Sequence, residues 1–243
     1  MAINRRSLFA LILLLVAGGV NAQTTEVESK ASHDDAWFSY RDVYQSMVGF
    51  EKYGKPKQFI QHHLQVIPTN KSVSMEGLRL TLTGKSTHLN LPLDPLGRAV
   101  FPLLKAAYDE KAELQINRPS DMVKLEPRVS IQTRADGIYE ISDLRSGCDQ
   151  ALQYLRYVAD YFQYRNKQCV GVKFSYPKDA RDIAVIFRNV GNVQTQLSIS
   201  EGDAFSTETI NSFKLVVVRF SDWPDKGQIT TNSAPLAIAA IFE

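Results

Sequence analysis

An α+β fold, mostly β, is what this chain predicts: two tandem, similar β-sandwich modules, each preceded by an amphipathic helix. Three observations carry that expectation. Leu78, Leu80 and Leu82 alternate with Arg79, Thr81 and Thr83, the period-two signature of a strand with one buried face. Around 43–50 and 144–162 the apolar residues recur instead at helical spacing. The order helix, hairpin, turn, break and closing strand then occurs twice, with an offset drifting from 105 (Leu78 to Ile183) to 108 (Pro127 to Pro235).

The first element, residues 1–22, reads as a secretory signal peptide. Arg5 and Arg6 give a basic start, and Leu8 to Ala17 is an apolar run of ten residues. Val20-Asn21-Ala22 is a small-residue cleavage site that makes Gln23 the mature start. A spanning helix needs about 20 apolar residues, so this run is too short to remain as an anchor. Its leucine-rich core favours the general secretory route over a twin-arginine one, and no cysteine at the cleavage point invites a lipid anchor. The expected location is therefore periplasmic or secreted, with no membrane insertion once the leader is gone.

Removing the leader takes away Arg5 and Arg6 and no acid, leaving 26 basic residues of the original 28 against 26 acidic ones. A balanced surface without a basic block has no electrostatic footprint for nucleic acid or anionic lipid. Residues 23–36 are polar and acidic and read as a flexible tether. The first module occupies 37–137 and the second 138–243.

In the first module, Ser39-Tyr40-Arg41-Asp42 precedes Val43, Met47 and Phe50 at helical spacing. Strand 78–83 and strand 89–93 flank Gly84-Lys85-Ser86-Thr87 as a hairpin, and Asp94-Pro95-Leu96-Gly97 is a tight turn. Further strands are expected near 98–103, 111–117 and 122–133. In the second module, Leu144, Cys148, Ala151, Leu152, Leu155, Ala159 and Phe162 form an apolar helical stripe, with Ser142 as its expected N-cap. Ile183, Val185 and Phe187 alternate, Gly191-Asn192 turns, and Gln194 to Ser200 alternates again. Lys214 to Phe220 is matched to Ala112 to Asn117, and Pro235 to Ala239 closes the module as Pro127 to Ile131 closes the first.

The segments Leu78-Arg79-Leu80-Thr81-Leu82, Leu91-Pro92-Leu93-Asp94 with Gly97-Arg98 and Phe101-Pro102, and Asn117-Arg118-Pro119 resemble a family of uncharacterised exported bacterial proteins, a domain of unknown function. The resemblance covers much of the mature chain. It implies an exported β-rich fold and brings no activity, cofactor or catalytic residue.

Motifs that resemble active chemistry fail on context. Gly84-Lys85-Ser86-Thr87 lacks the earlier glycine of a phosphate loop and joins two strands, not a strand and a helix. Ser175-Tyr176-Pro177-Lys178 has serine–lysine spacing, but such a pair needs adjacent helical turns, and Pro177 after a strand denies them. His62 and His63 would face opposite ways on a strand, so only one could join His88, too few for a metal centre; His33 sits in the tether with Asp34 and Asp35. No cofactor site is read.

Two features remain. Cys148 and Cys169 in an oxidising compartment predict a structural disulfide. A straight helix over 148–166 would be about 27 Å long, beyond the return reach of the three residues left, so the bridge requires the helix to end near Tyr161. Tyr154, Tyr157, Tyr161 and Tyr164 are spaced 3, 4 and 3 and share a helix face. That face is either a docking surface for an envelope protein or cell-wall component, or the side that packs on the first module. The expected role is binding or structural and not catalytic; a hydrolase with a dispersed site and a small-ligand carrier are the alternatives.

Overall fold

The computed structural model describes residues 35–158, 161–205 and 213–243, apart from the side chains of 161 and 162. The expected leader, its cleavage point at Ala22 and Gln23, and nearly all of the expected tether lie outside the described residues.

The first half runs β1 (Ala36–Ser39), α1 (Tyr40–Glu51), β2 (Ile60–Pro68), β3 (Leu80–Thr83), β4 (His88–Leu91), β5 (Arg98–Ala99), α2 (Lys105–Asp109), β6 (Glu113–Ile116) and β7 (Val123–Ile131). The second runs β8 (Ile138–Glu140), α3 (Ile141–Val158), α4 (Tyr161–Tyr164), β9 (Cys169–Tyr176), β10 (Val185–Arg188), β11 (Gln194–Gln196), β12 (Ser200–Gly202), β13 (Phe213–Arg219), a 3-10 turn (Phe220–Asp222), β14 (Gln228–Thr231) and β15 (Ala237–Phe242). The protein is thus α+β and mostly β, as the alternation predicts. Among the described residues no helix is long and apolar enough to cross a membrane.

Three sheets form. Two are four-stranded, β1-β6-β3-β4 and β8-β14-β10-β11, and the third is seven-stranded, β12-β13-β9-β15-β7-β2-β5. The small sheets have one strand order: β8, β14, β10 and β11 take the places of β1, β6, β3 and β4. In the large sheet β2 lies between β7 and β5 just as β9 lies between β15 and β13. By position, then, β13 corresponds to β5 and β14 to β6. This replaces the sequence match of Lys214–Phe220 with Ala112–Asn117, because alternation alone cannot tell which neighbour a strand pairs with. The halves are also not separate sandwiches. β7 and β15 pair antiparallel with Ile131 opposite Ile238, so one sheet runs through both.

Each small sheet packs on its own end of the large one. Leu80, Leu82, Leu114 and Ile116 meet Leu64, Val66 and Ala99 in the first core. Val185, Phe187 and Ile229 meet Val172, Phe174, Val216 and Val218 in the second. Phe50 of α1 and Ala151 and Tyr154 of α3 pack with Ile60 of β2 in a further cluster.

Helix α1 begins where Ser39 Oγ accepts the Asp42 N–H at 3.4 Å. The expected strand over 98–103 shortens to β5. The Tyr40 hydroxyl, in the core, donates to the Pro102 carbonyl at 2.6 Å and accepts the Leu104 N–H at 2.8 Å, pulling 102–104 out of the sheet and into α2. Helix α3 starts at Ile141, so Ser142 lies in its first turn and is not its N-cap; the Ile141 N–H is met by the Gly227 carbonyl at 3.0 Å. The turn before β5 needs Gly97: its φ is +74°, and a Cβ there would sit 2.6 Å from the Val66 carbonyl oxygen.

Candidate functional site

The two cysteines meet. Cys148 on α3 and Cys169 at the start of β9 form a disulfide with Cα atoms 6.0 Å apart. Helix is described to Val158 and again over Tyr161–Tyr164, and the course of the chain between them lies outside the described residues, so the expected helix end near Tyr161 is not decided here. The return is held by Arg156, whose guanidinium donates to the carbonyls of Tyr164 at 3.0 Å and Lys167 at 2.6 Å.

The four tyrosines do not form one exposed face. Tyr154 is only 2% exposed and packs edge-on against Phe50, Tyr53 and His62 at 5.1, 5.2 and 5.6 Å. Burial raises its hydroxyl to about 12. The structure therefore removes Tyr154 from any docking surface and gives it the packing role. Tyr157 is 64% exposed, with its ring 5.1 Å from that of Tyr53. Tyr164 is half-buried edge-on to Phe242 at 6.1 Å. The side chain of Tyr161 lies outside the described residues. A stripe at helical spacing cannot show how far a second layer climbs up the helix, and here Phe50 and Tyr53 of the first half do so.

His62 and His63 lie partly buried on β2. His62 stacks on Phe50 at 4.9 Å, and burial, reinforced by the neighbouring His63, lowers it from 6.5 to about 4. His63 is also lowered, by burial first and then by Arg98. Because the native state keeps His62 neutral while the unfolded chain takes up a proton near pH 6.5, stability is full above that pH and falls as pH drops towards 4. We expect a loss of about 2 kcal/mol by pH 4.5. Denaturant unfolding at pH 7 and pH 4.5 measures it, and His62→Phe should remove most of the difference; an undiminished pH dependence in that variant would assign the effect elsewhere. Among the described residues no three His, Cys, Asp or Glu side chains gather into a metal site.

Sequence reasoning missed a cleft of 520 Å³ over the outer face of the sheet β8-β14-β10-β11. Its floor follows from register. Val185, Phe187, Ile229 and Tyr139 point into the core, so the alternate row Glu140, Gln228, Arg188 and Gln194 points outward, one residue per strand. Gln228 Nε2 donates to Glu140 Oε1 at 2.7 Å.

Two turns form the walls. Asn189 Oδ1 accepts the Val193 N–H at 2.9 Å and the Asn189 carbonyl accepts the Asn192 N–H at 3.1 Å, with Asn192 in the left-handed region at φ +60°. On the other side Arg145 of α3 donates to the carbonyls of Phe220 at 2.7 Å and Trp223 at 3.1 Å, and lies 3.1 Å from Asp225 Oδ1. Gly227 also lines the cleft, just before β14: its φ is +149°, and a Cβ there would lie 2.7 Å from the core-facing Phe187 ring, so the position requires glycine. The signal for this cleft was present in Gly191-Asn192 and Asp222-Trp223-Pro224-Asp225, but nothing linear shows that these turns flank one sheet end.

Both acids of the cleft are engaged, Glu140 by Gln228 and Asp225 by Arg145. Its two cations differ. Arg188 and Lys226 line the cleft and make no ion pair among the described residues. The buried Nε of Arg188 meets no acceptor. The arrangement presents hydrogen-bond donors over a floor of paired strands. No family model, curated protein or solved structure matches the chain.

Proposed function

We propose that this is an exported, non-catalytic binding protein of the cell envelope. In this reading residues 1–22 direct export, cleavage follows Ala22, and the mature protein works in the periplasm or outside the cell in a family of similar exported proteins. The shared strand order of the two halves supports their origin by internal duplication. The disulfide suits an oxidising compartment.

The observation that carries the binding role is the cleft, a built recess whose turns are fixed by Asn189, Arg145 and Gly227 while two of its cations make no ion pair among the described residues. Its acids are tied to neighbours, which favours holding a ligand over general acid–base chemistry, and the charged and amide side chains among its lining residues suit a polar envelope component better than an apolar cargo. The cleft, more than the tyrosine stripe, is the contact surface. A photoreactive residue at Asn192, on the exposed wall, should give a discrete adduct in intact cells, and the same group at Arg128 should not. Equal or absent labelling at the two positions would count against the reading. Mass spectrometry of the purified protein tests the address separately: a chain beginning at Gln23 is expected, and an intact Met1 would contradict export by cleavage.

A further inference from the structure

We propose that the cleft recognises an oxyanion, a carboxylate or phosphate carried by its ligand, with Arg188 and Lys226 as the recognising residues. The inference rests on the binding reading and names the chemistry of what is bound.

The argument is one of donors left over. In the outward row Glu140, Gln228, Arg188, adjacent strands are about 4.8 Å apart, which places Arg188 two strands, about 9.6 Å, from the only acid of its row. Gln228 stands between them and gives its amide to Glu140. Asp225 is on the loop beside Lys226, but the Arg145 guanidinium takes it at 3.1 Å. Each carboxylate in the recess thus has a partner other than Arg188 or Lys226.

What remains is donor-rich. A guanidinium presents five N–H groups and an ammonium three, none of which can accept. Arg188 carries a buried Nε with no acceptor, an arrangement that is costly unless something negative or polar completes it. Asn189 uses its side-chain oxygen on the Val193 N–H, so the group it can still offer is its amide donor. A planar fork beside a mobile ammonium is the pairing that grips a carboxylate or phosphate. The recess volume of 520 Å³ admits a ligand larger than the anion alone.

The test uses the purified protein and two probes, inorganic phosphate and acetate, with sodium chloride at matched ionic strength. The readout is the arginine Nε–Hε NMR resonances. We expect the Arg188 resonance to shift saturably with at least one probe at millimolar concentration, while that of exposed Arg181 follows only ionic strength. Saturation by phosphate alone identifies a phosphate ligand, and by acetate alone a carboxylate. Because Arg188 supplies the readout, binding to the variants is followed on the Gln228 and Asn189 side-chain amides. Arg188→Gln should weaken binding at least tenfold and Lys226→Gln several-fold, both with unchanged unfolding midpoints.

Non-saturating shifts, shifts equal at Arg181, or unchanged affinity in both variants would overturn the proposal. If the probes fail while Asn192 still crosslinks in cells, the ligand class is wrong and the binding role stands. If the probes bind but Asn192 gives no adduct, the anion site stands and the envelope partner falls.

Discussion

Arg98→Ala is expected to destabilise the protein by about 3 kcal/mol, although Arg98 lies outside both large cores. It is 6% exposed on the back of the seven-stranded sheet. Its Nη2 reaches Asp94 Oδ2 at 2.7 Å and also the Leu236 carbonyl, while Nε donates to Asp94 at 2.8 Å. Asp94 in turn accepts the N–H groups of Leu96 and Arg98, at 2.9 and 2.8 Å, which shapes the turn before β5. Truncation would strand a carboxylate and a carbonyl together, and it would cut the side-chain link between the turn before β5 and the segment entering β15. Denaturant unfolding of Arg98→Ala and Asp94→Asn, singly and together, measures the coupling. A loss below about 1 kcal/mol for Arg98→Ala would show that solvent replaces the guanidinium at this site.

Loss of the disulfide should have an effect of the same size. Cys148→Ser with Cys169→Ser, or reduction of the native pair, opens a loop with a sequence separation of 21, for which chain entropy gives about 3 kcal/mol. Cys148 is fully buried among Leu144, Val172 and Val218, so the serine variant also places a hydroxyl in an apolar site. Cys148→Ala with Cys169→Ala separates the two contributions. The entropic part should appear in the alanine pair, and reduction of wild type should lower its unfolding midpoint towards that variant. A midpoint unmoved by reduction would mean that α3 is held on β9 by packing alone.

Period-two alternation located β3, β4, β10, β11 and β15, and helical spacing located α1 and α3, because a buried face imposes its rhythm on the residues that make it. Turn chemistry was equally readable at Asp94–Gly97, where the backbone requires glycine. The strand order was not readable. β5 and β6 are both short and alternating, and only hydrogen bonding to β2 or β3 distinguishes them. Helix α2 was missed because the cause of the chain's departure from the sheet, the Tyr40 hydroxyl, is 62 residues away from Pro102.

The candidate site was less legible than the fold for a related reason. Tyr154 and Tyr157 look equivalent in sequence, and their fates differ because Phe50 and Tyr53 arrive from the other half to cover the former. Arg188 reads as an ordinary outward-facing strand residue. The role proposed for it rests on Gln228 and Arg145 having taken the nearby acids, a matter of three-way competition that no pairwise spacing encodes.

The place of β15 has a consequence for how the molecule is made. It comes later in the chain than every other strand, yet it occupies the middle of the seven-stranded sheet, with β9 on one side and β7 on the other. Until residues 237–242 arrive, everything before them holds two open strand edges facing an empty slot, the kind of surface that invites pairing with other chains. The sheet is completed from its centre and last, so a chain passed across a membrane amino-end first cannot finish folding while its tail is still on the other side. In the exported reading proposed above, a fold built in this order keeps itself unfinished for the length of its own transit.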